Sequence, residues 1–548
     1  MVAMLSAVST YQQLTALADE FWAWRAITQP TSGDDIPRIE RPAGWLPDWS
    51  PDAIAERQQR ATAFATRWRS LAADSRTWSI PEQVDYRLIG SAIARVHWEL
   101  EVLESWRRNP NFYAFQTLGP IFEALLLPRV DQQQLVRLAQ RVPETVDAAR
   151  ANLAHDAVAP FARLAITVLQ DVRAKLQRVH SALPHAGDDL AQAFTRASDA
   201  LEQLAEWLMR RLPTMPDRVP IGRDAYAWFL SEVAQIPMTP AQVAAAGQQE
   251  LERSIAFEAL EQQRNRHLPL LPLPKTQQEQ ITNHERAEQS VRDFCEQHDL
   301  LSFPDWLRHY RNAPQPGYLA PLRGLGVTDD LTSLNRLNAD GVHFIPDPTP
   351  DLPYFYLAMA KEPRALIAHE GVHYYQLARA WAHDNPIRRH YYDSGPNEGI
   401  GFYAEEMLLQ AGLFDDRPRS REIIYNFMRL RALRVAVDVK LALGELTIES
   451  GADELARLVP MDMGTAHEEA SFFASDPGQA ITYQIGKLQI LRFLSDARLQ
   501  HGEHFNLRAF HDSLWINGNV PISLQRWEML GPRDDLDTLD SAGGRLTL

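Results

Sequence analysis

Across 548 residues, apolar side chains recur at helical spacing almost everywhere, and a single stretch alternates as a strand would. That periodicity restricts the chain to a mainly α body, because a face repeating every 3.6 residues cannot sit on a pleated sheet. Before the middle of the chain it predicts helices over 51–77, 81–108, 132–155, 159–182, 187–211, 223–235 and 239–266. Thr239-Pro240 is a helix start, with Thr as cap and Pro in the first turn. Asp188 and Asp189 mark another start, where acidic groups meet the positive helix end. LPLLPLPK (268–275) reads as an extended linker. Further helices are predicted over 276–298, 303–310, 363–384, 397–412, 419–443, 463–474, 477–500 and 505–514. The strand-like exception is GVHFIPDPTPDLPYFYLAM (341–359), two short apolar runs joined by a Pro/Asp turn, which predicts a small β-hairpin or sheet. The division follows the linker: an N-terminal helical region over 1–270 and a C-terminal helical region over 271–548, or two lobes of one fold.

Charge and cysteine usage exclude several functions. Asp and Glu number 71 against 55 Lys and Arg, a formal charge of −16. An acidic surface opposes phosphate contacts, so no nucleic-acid partner is expected. Cys295 is the only cysteine, which rules out an intrachain disulfide, a cysteine zinc site and an iron–sulfur cluster. No apolar run is long enough to span a bilayer, and no membrane partner is expected. MVAMLSAVST lacks the basic flank of a secretory signal and reads as the approach to a first helix. The cytoplasm is therefore the expected compartment. Oligomeric state is not encoded in any visible pattern.

The chemistry concentrates in HEGVH, residues 369–373. His369 and His373, four apart on a helix, point the same way and can share one metal ion. Glu370 between them can deprotonate a water held at that ion. A catalytic zinc needs a third protein ligand and an open position. Without a usable cysteine that ligand is His, Asp or Glu. Glu398 opens the next helical stretch, NEGIGFYAEEMLLQAGLF, 25 positions after His373. His383 and His390 are rivals, but they fall in the charged connection AHDNPIRRHYY and read as surface residues. Glu405 and Glu406 lie two turns beyond Glu398, where a carboxylate could orient the histidines; Glu406 reads equally as part of a solvated acidic face.

His369, Glu370, His373 and Glu398 resemble the gluzincin arrangement, in which a Glu on a following helix completes a zinc site. The wider chain resembles the bacterial family called domain of unknown function 885. EGIGFYAE (398–405) and PGQAITYQIG (477–486) are similar to stretches of that family. So are LADEFWAWRAITQP (17–30), PIGRDAYAWFL (220–230), MTPAQVAAAGQQELER (238–253) and FHDSLWINGNVPISL (510–524). The resemblance departs at one point: many members carry a longer histidine motif with Pro-Gly inserted, whereas the spacing here is the plain gluzincin one.

The gluzincin resemblance implies a Tyr from a later helix as donor to the oxyanion. Tyr483 in PGQAITYQIG fits that role, with Pro477-Gly478 as a helix start and Gly486 allowing close backbone approach. His511 is a second donor candidate, and Lys487 a weaker candidate for a substrate carboxylate. An exposed edge of the 341–359 hairpin could pair with an extended peptide, lined by His343 and Tyr356. Arg434 and Asp438, four apart on an apolar helix, need partners: a salt bridge or a supporting role at the site. The expectation is a zinc-dependent metallopeptidase of short peptides, its preference for short substrates implied by the resemblance. A metal-dependent hydrolase of another amide or ester, an iron site, or a non-catalytic scaffold are the alternatives.

Overall fold

The computed structural model describes residues 9–32 and 40–542. The opening MVAMLSAV, read above as a helix approach, lies outside the described residues. Described structure begins with the helix Thr10–Thr28, which Ser9 caps reciprocally with Gln12. The architecture is mainly α, with one three-stranded sheet. Among the described residues no helix is long and apolar enough to cross a membrane.

Most expected helices form, and their ends show why. Thr239 caps Pro240–Asn265 through a capping box, with Pro at the start. Gly187, not an aspartate, precedes Asp188–Arg211, and the two aspartates occupy its first turn. The segment 159–182 divides into Ala159–Leu169 and Val172–Ala182, because Asp171 adopts a left-handed φ of 55°. Helices also form where none is predicted: Pro110–Leu126, Ile448–Leu458 and Ile522–Leu530. Pro120 inside the first of these obscures its periodicity. The predicted helix over 303–310 is absent; this segment turns and enters a strand.

The predicted hairpin is replaced by a different sheet. β1 (Tyr310–Pro314), β2 (Asp329–Asp330) and β3 (Gly341–Ile345) assemble in the order β1-β3-β2. β3 pairs parallel with β1 and antiparallel with β2, so both its edges are occupied. YFYLAM therefore finds no strand to pair with and forms the helix Tyr354–Lys361. The sheet lies against the helix that follows HEGVH. Tyr374 packs over Gly341, and its hydroxyl donates to the Ala339 carbonyl at 2.9 Å.

Two long helices, Pro240–Asn265 and Pro418–Leu443, pack along each other. Ser394–Ala411 and Thr482–His501 form a second such pair. The buried cores draw on distant segments: Ala94, Trp98 and Tyr226 pack with Val435, Val439 and Ile485 in one cluster. The second helix pair carries the residues that matter below.

Candidate metal centre

HEGVH does not lie on a regular α-helix. Pro363–Leu366 leads into a π-turn over Ile367–Gly371, and Val372–Trp381 continues as α-helix. The wider turn carries His369 and Glu370, and π-turns of this kind cluster at functional sites. Asp393 caps Ser394–Ala411, the helix that presents Glu398.

Three donor atoms converge. His369 Nε2 and His373 Nε2 lie 3.2 and 3.1 Å from Glu398 Oε2, and 3.2 Å from each other. All three residues are buried. Donors ~2.0–2.1 Å from a tetrahedral ion stand about 3.3 Å apart, so this triangle has the edge length that zinc requires. Protons alone satisfy it poorly: two imidazole nitrogens face each other, and Glu398 Oε1 is buried with no hydrogen-bond partner. A cation between the three donors would separate the facing nitrogens and offset the buried charge of Glu398, so the residues fit a metal ion.

Gly401 makes the triangle possible. A Cβ there would stand 2.7 Å from His373 Cε1 and 3.0 Å from His369 Cε1. Any side chain would push both imidazoles off the donor positions. Nearby, the two helices touch backbone to backbone: a Cβ on Gly486 would lie 2.3 Å from the Gly395 carbonyl oxygen and 2.7 Å from Gly399 Cα.

The surrounding charges explain the protonation of the site. Burial and Arg431 push His369 down, but Glu398 and Glu405 outweigh them and raise it to about 9. Burial would raise Glu398, yet His373 and His369 hold it well below the usual carboxylate range. Glu370 is raised by burial, an effect that the two histidines only reduce. It is half-buried, whereas the three metal-ligand candidates are closed off from solvent. Glu405 Oε1 approaches His369 Nδ1 at 2.8 Å and Arg431 Nη2 at 2.9 Å. The approach to Nδ1 lies off the hydrogen-bonding direction, so the contact is an ion pair rather than a directed bond.

Tyr483 stands beside the triangle. Its ring stacks on His369 at 5.8 Å between centroids and 16° between planes. Arg434 lies over the same ring at 4.6 Å and Arg431 at 5.5 Å. Glu469 fixes Arg434 through a 2.6 Å hydrogen bond.

Residues 31–267 and 350–529 match the family described as bacterial protein of unknown function, DUF885. The chain belongs to this family. The second matched segment of this DUF885 chain contains the donor triangle, Glu370 and Tyr483, whereas the sheet falls between the segments. No curated protein matches the chain. Solved structures share its fold, and two of them are candidate lipoproteins. One, described as a candidate lipoprotein of unknown function from Shewanella oneidensis, has a TM-score of 0.69 at 16% identity, covering 96% of this chain and 100% of its own. The other, a candidate lipoprotein from Colwellia psychrerythraea, has a TM-score of 0.69 at 14% identity, covering 97% and 100%.

Several sequence expectations resolve differently in this DUF885 protein. Pro477-Gly478 is a turn rather than a helix start, with Gly478 at φ 96°, and the helix begins at Thr482. Asp438 holds that turn: its carboxylate accepts from Gly478 N at 3.0 Å, Ala480 N at 2.9 Å and Tyr226 OH at 2.8 Å. Lys487 does not face a substrate site. It is buried between Glu406 at 2.7 Å and Glu250 at 3.1 Å, which also removes Glu406 from any solvated face. His511 is buried with both nitrogens engaged, by the Leu300 carbonyl and by Tyr403 OH, each at 2.7 Å. His383 and His390 are half-buried and stand apart from the donor triangle.

His343 is buried on the central strand, not on an edge open to a peptide. Its Nδ1 meets Asp329 Oδ2 at 2.9 Å, and its ring stacks on Tyr356 at 6.0 Å. Asp329 also accepts from Tyr310 OH at 2.6 Å. Burial lowers His343, but Asp329 and then Glu370 raise it above the ordinary histidine value. Asp329 and Arg431 are the functional neighbours that the sequence reading missed. Arg431 had a signal, since it lies three residues before Arg434 on the same apolar helix. Asp329 had none, because only strand pairing brings it opposite His343.

Proposed function

We propose that this chain is a zinc-dependent metallopeptidase of gluzincin type that hydrolyses short peptides. The observation that carries the reading is the triangle of His369 Nε2, His373 Nε2 and Glu398 Oε2, all within 4.8 Å of one another, with Glu370 beside it. Zinc held by these three would polarise an amide carbonyl and acidify a water molecule. Glu370 accepts the proton of the attacking water and returns it to the leaving amine. Tyr483 donates its hydroxyl to the carbonyl oxygen as negative charge develops there. Arg434 and Arg431 stack on the Tyr483 ring and hold it in place, and their charge favours an anion nearby. Glu405, 2.8 Å from His369 Nδ1, favours the ring proton on that nitrogen and leaves Nε2 free for the metal.

The test measures metal content and peptide cleavage together, on wild type and Glu370→Gln. The wild type should bind about one zinc per chain and cleave members of a short-peptide library. Glu370→Gln should keep the metal and lose ~10²–10⁴-fold in turnover, because an amide accepts no proton. Cleavage of esters or non-peptide amides with peptides untouched would replace the peptidase reading with the broader hydrolase. A variant that cleaves peptides normally would end the role of Glu370.

A further inference from the structure

One face of the small sheet carries hydrogen-bonding atoms that nothing in the fold uses. Gly341, His343 and Ile345 of β3 point to the same side, because side chains alternate along a strand. That side faces the helix that continues HEGVH: a Cβ on Gly341 would meet the Tyr374 ring at 2.6 Å. β1 extends the face, since Tyr310 pairs with Gly341 and Asn312 with His343. Tyr310 lies against the π-turn, where a Cβ on Gly371 would stand 3.4 Å from its ring. On the other side of β3, Asp329 pairs with His343. Asn312, His343 and Asp329 therefore form one row across the three strands. Glu370 is close enough for its charge to act on His343, and for that of Asp329 to act on Glu370.

Two atoms of this row are buried without partners. His343 is 5% and Asn312 8% exposed, and neither His343 Nε2 nor Asn312 Oδ1 makes a hydrogen bond. Such atoms are rare in a folded chain and costly, because each has given up its water. The imidazole is fixed: Asp329 accepts from Tyr310 OH at 2.6 Å and faces His343 Nδ1 at 2.9 Å, while Tyr356 stacks on the ring. Burial opposes a second proton on His343, but Asp329 and Glu370 outweigh it, which makes Nε2 a donor. Asn312 Oδ1 is an acceptor. Among the described residues no hydrogen bond or ion pair joins His343 to Glu370, so the row and the base face each other without touching. Donor and acceptor stand on neighbouring strands, ~4.8 Å apart at the backbone. An extended peptide presents the N–H and C=O of one residue to the same side.

We infer that His343 and Asn312 hold the main chain of the peptide beside Glu370, His343 Nε2 donating to a carbonyl oxygen and Asn312 Oδ1 accepting from an N–H. Recognition at this point is of the extended backbone and is indifferent to side chains. The inference rests on the peptidase reading above. Like the donor triangle, the pair is buried, so it is engaged only when the centre opens.

Zinc-loaded Glu370→Gln protein is titrated calorimetrically with pentaalanine and with its four analogues in which one amide N–H is replaced by an ester oxygen. One ester should bind roughly ten-fold more weakly, since Asn312 Oδ1 then faces an oxygen instead of a donor. Adding Asn312→Leu should weaken pentaalanine and abolish that difference. It should leave the melting temperature unchanged or raised, because Oδ1 has no partner to lose. Adding His343→Leu should weaken every form, and His343→Gln, which keeps an N–H, should recover part of the loss. Pentaalanine that does not bind, four esters that bind as well as the amide, or an ester penalty that survives Asn312→Leu overturns the inference. So does a His343→Leu protein that binds normally. The ester series needs no sheet variant, so it decides even if His343→Leu fails to fold. Wild type that cleaves peptides while the ester series is flat keeps the peptidase reading and sinks this one. Ester-sensitive, Asn312-dependent binding without any cleavage does the reverse.

Discussion

Tyr483 touches the candidate centre with its ring and acts, in the proposed reaction, with its hydroxyl. The two contributions separate cleanly in Tyr483→Phe, which keeps the stack on His369 and the contact with Arg434. Thermal stability should change little. Loss of an oxyanion donor should lower kcat by about 10²–10³ with KM nearly unchanged, because the charge exists only near the transition state. Steady-state kinetics beside a melting curve check this; a fall in melting temperature with kcat intact would make Tyr483 a packing residue. At this scale the sequence was informative wherever spacing alone sets direction. His369 and His373 share a face because they are four apart, and the π-turn did not disturb that. Lys487 and His511 stayed open as candidates because a polar residue in a sequence does not reveal its partner. Glu250, Glu406, Leu300 and Tyr403 come from remote segments.

Among the elements, Ser394–Ala411 carries the most constraint, since it supplies Glu398 and makes room for both imidazoles. Gly401→Ala should fold but bind zinc at least ten-fold more weakly, because the new methyl would meet His373 Cε1 at 2.7 Å. Competition against a calibrated chelator measures the change; wild-type affinity would show that the rings have slack. Gly486→Ala differs in kind. Its methyl meets backbone at 2.3 Å, where nothing can rotate away, so the cost falls on stability. Most helices were legible from periodicity and caps. The sheet was not, because pairing β3 with both β1 and β2 is a long-range choice that consumed the edges expected to hold YFYLAM. The linker-based division at 270 describes sequence texture, while the cores join residues from both sides of it.

For the whole molecule, pH acts through histidines outside the donor triangle. Burial pushes His284 and His511 each down to about 4, against about 6.5 in an unfolded chain. Both stay neutral in the fold while the unfolded chain takes up protons. Between those values the unfolded state binds more protons, so stability rises with pH and falls on acidification. Two such groups give a slope approaching ~2.7 kcal/mol per pH unit in that window, at ~1.4 each. In metal-free protein His369 acts oppositely and elsewhere: raised to about 9, it contributes stability that is present below about 6.5 and lost as pH climbs toward 9. Urea unfolding with chelator present should therefore show a stability maximum near pH 6.5, declining on both sides. A profile flat from pH 6.5 to 5 would contradict the neutral burial of His284 and His511.

The backbone contact of Gly399 with Gly486 has a mechanical consequence. Side chains slide past one another by changing rotamer, but two main chains in direct contact have no such freedom. Glu398 is one residue from that contact and Tyr483 is three, so both ride on a single rigid frame. Breathing of the molecule cannot separate them. The compliant side has to be the other one, where Glu370 faces Asp329 and His343 of the sheet, and any hinge is to be sought there.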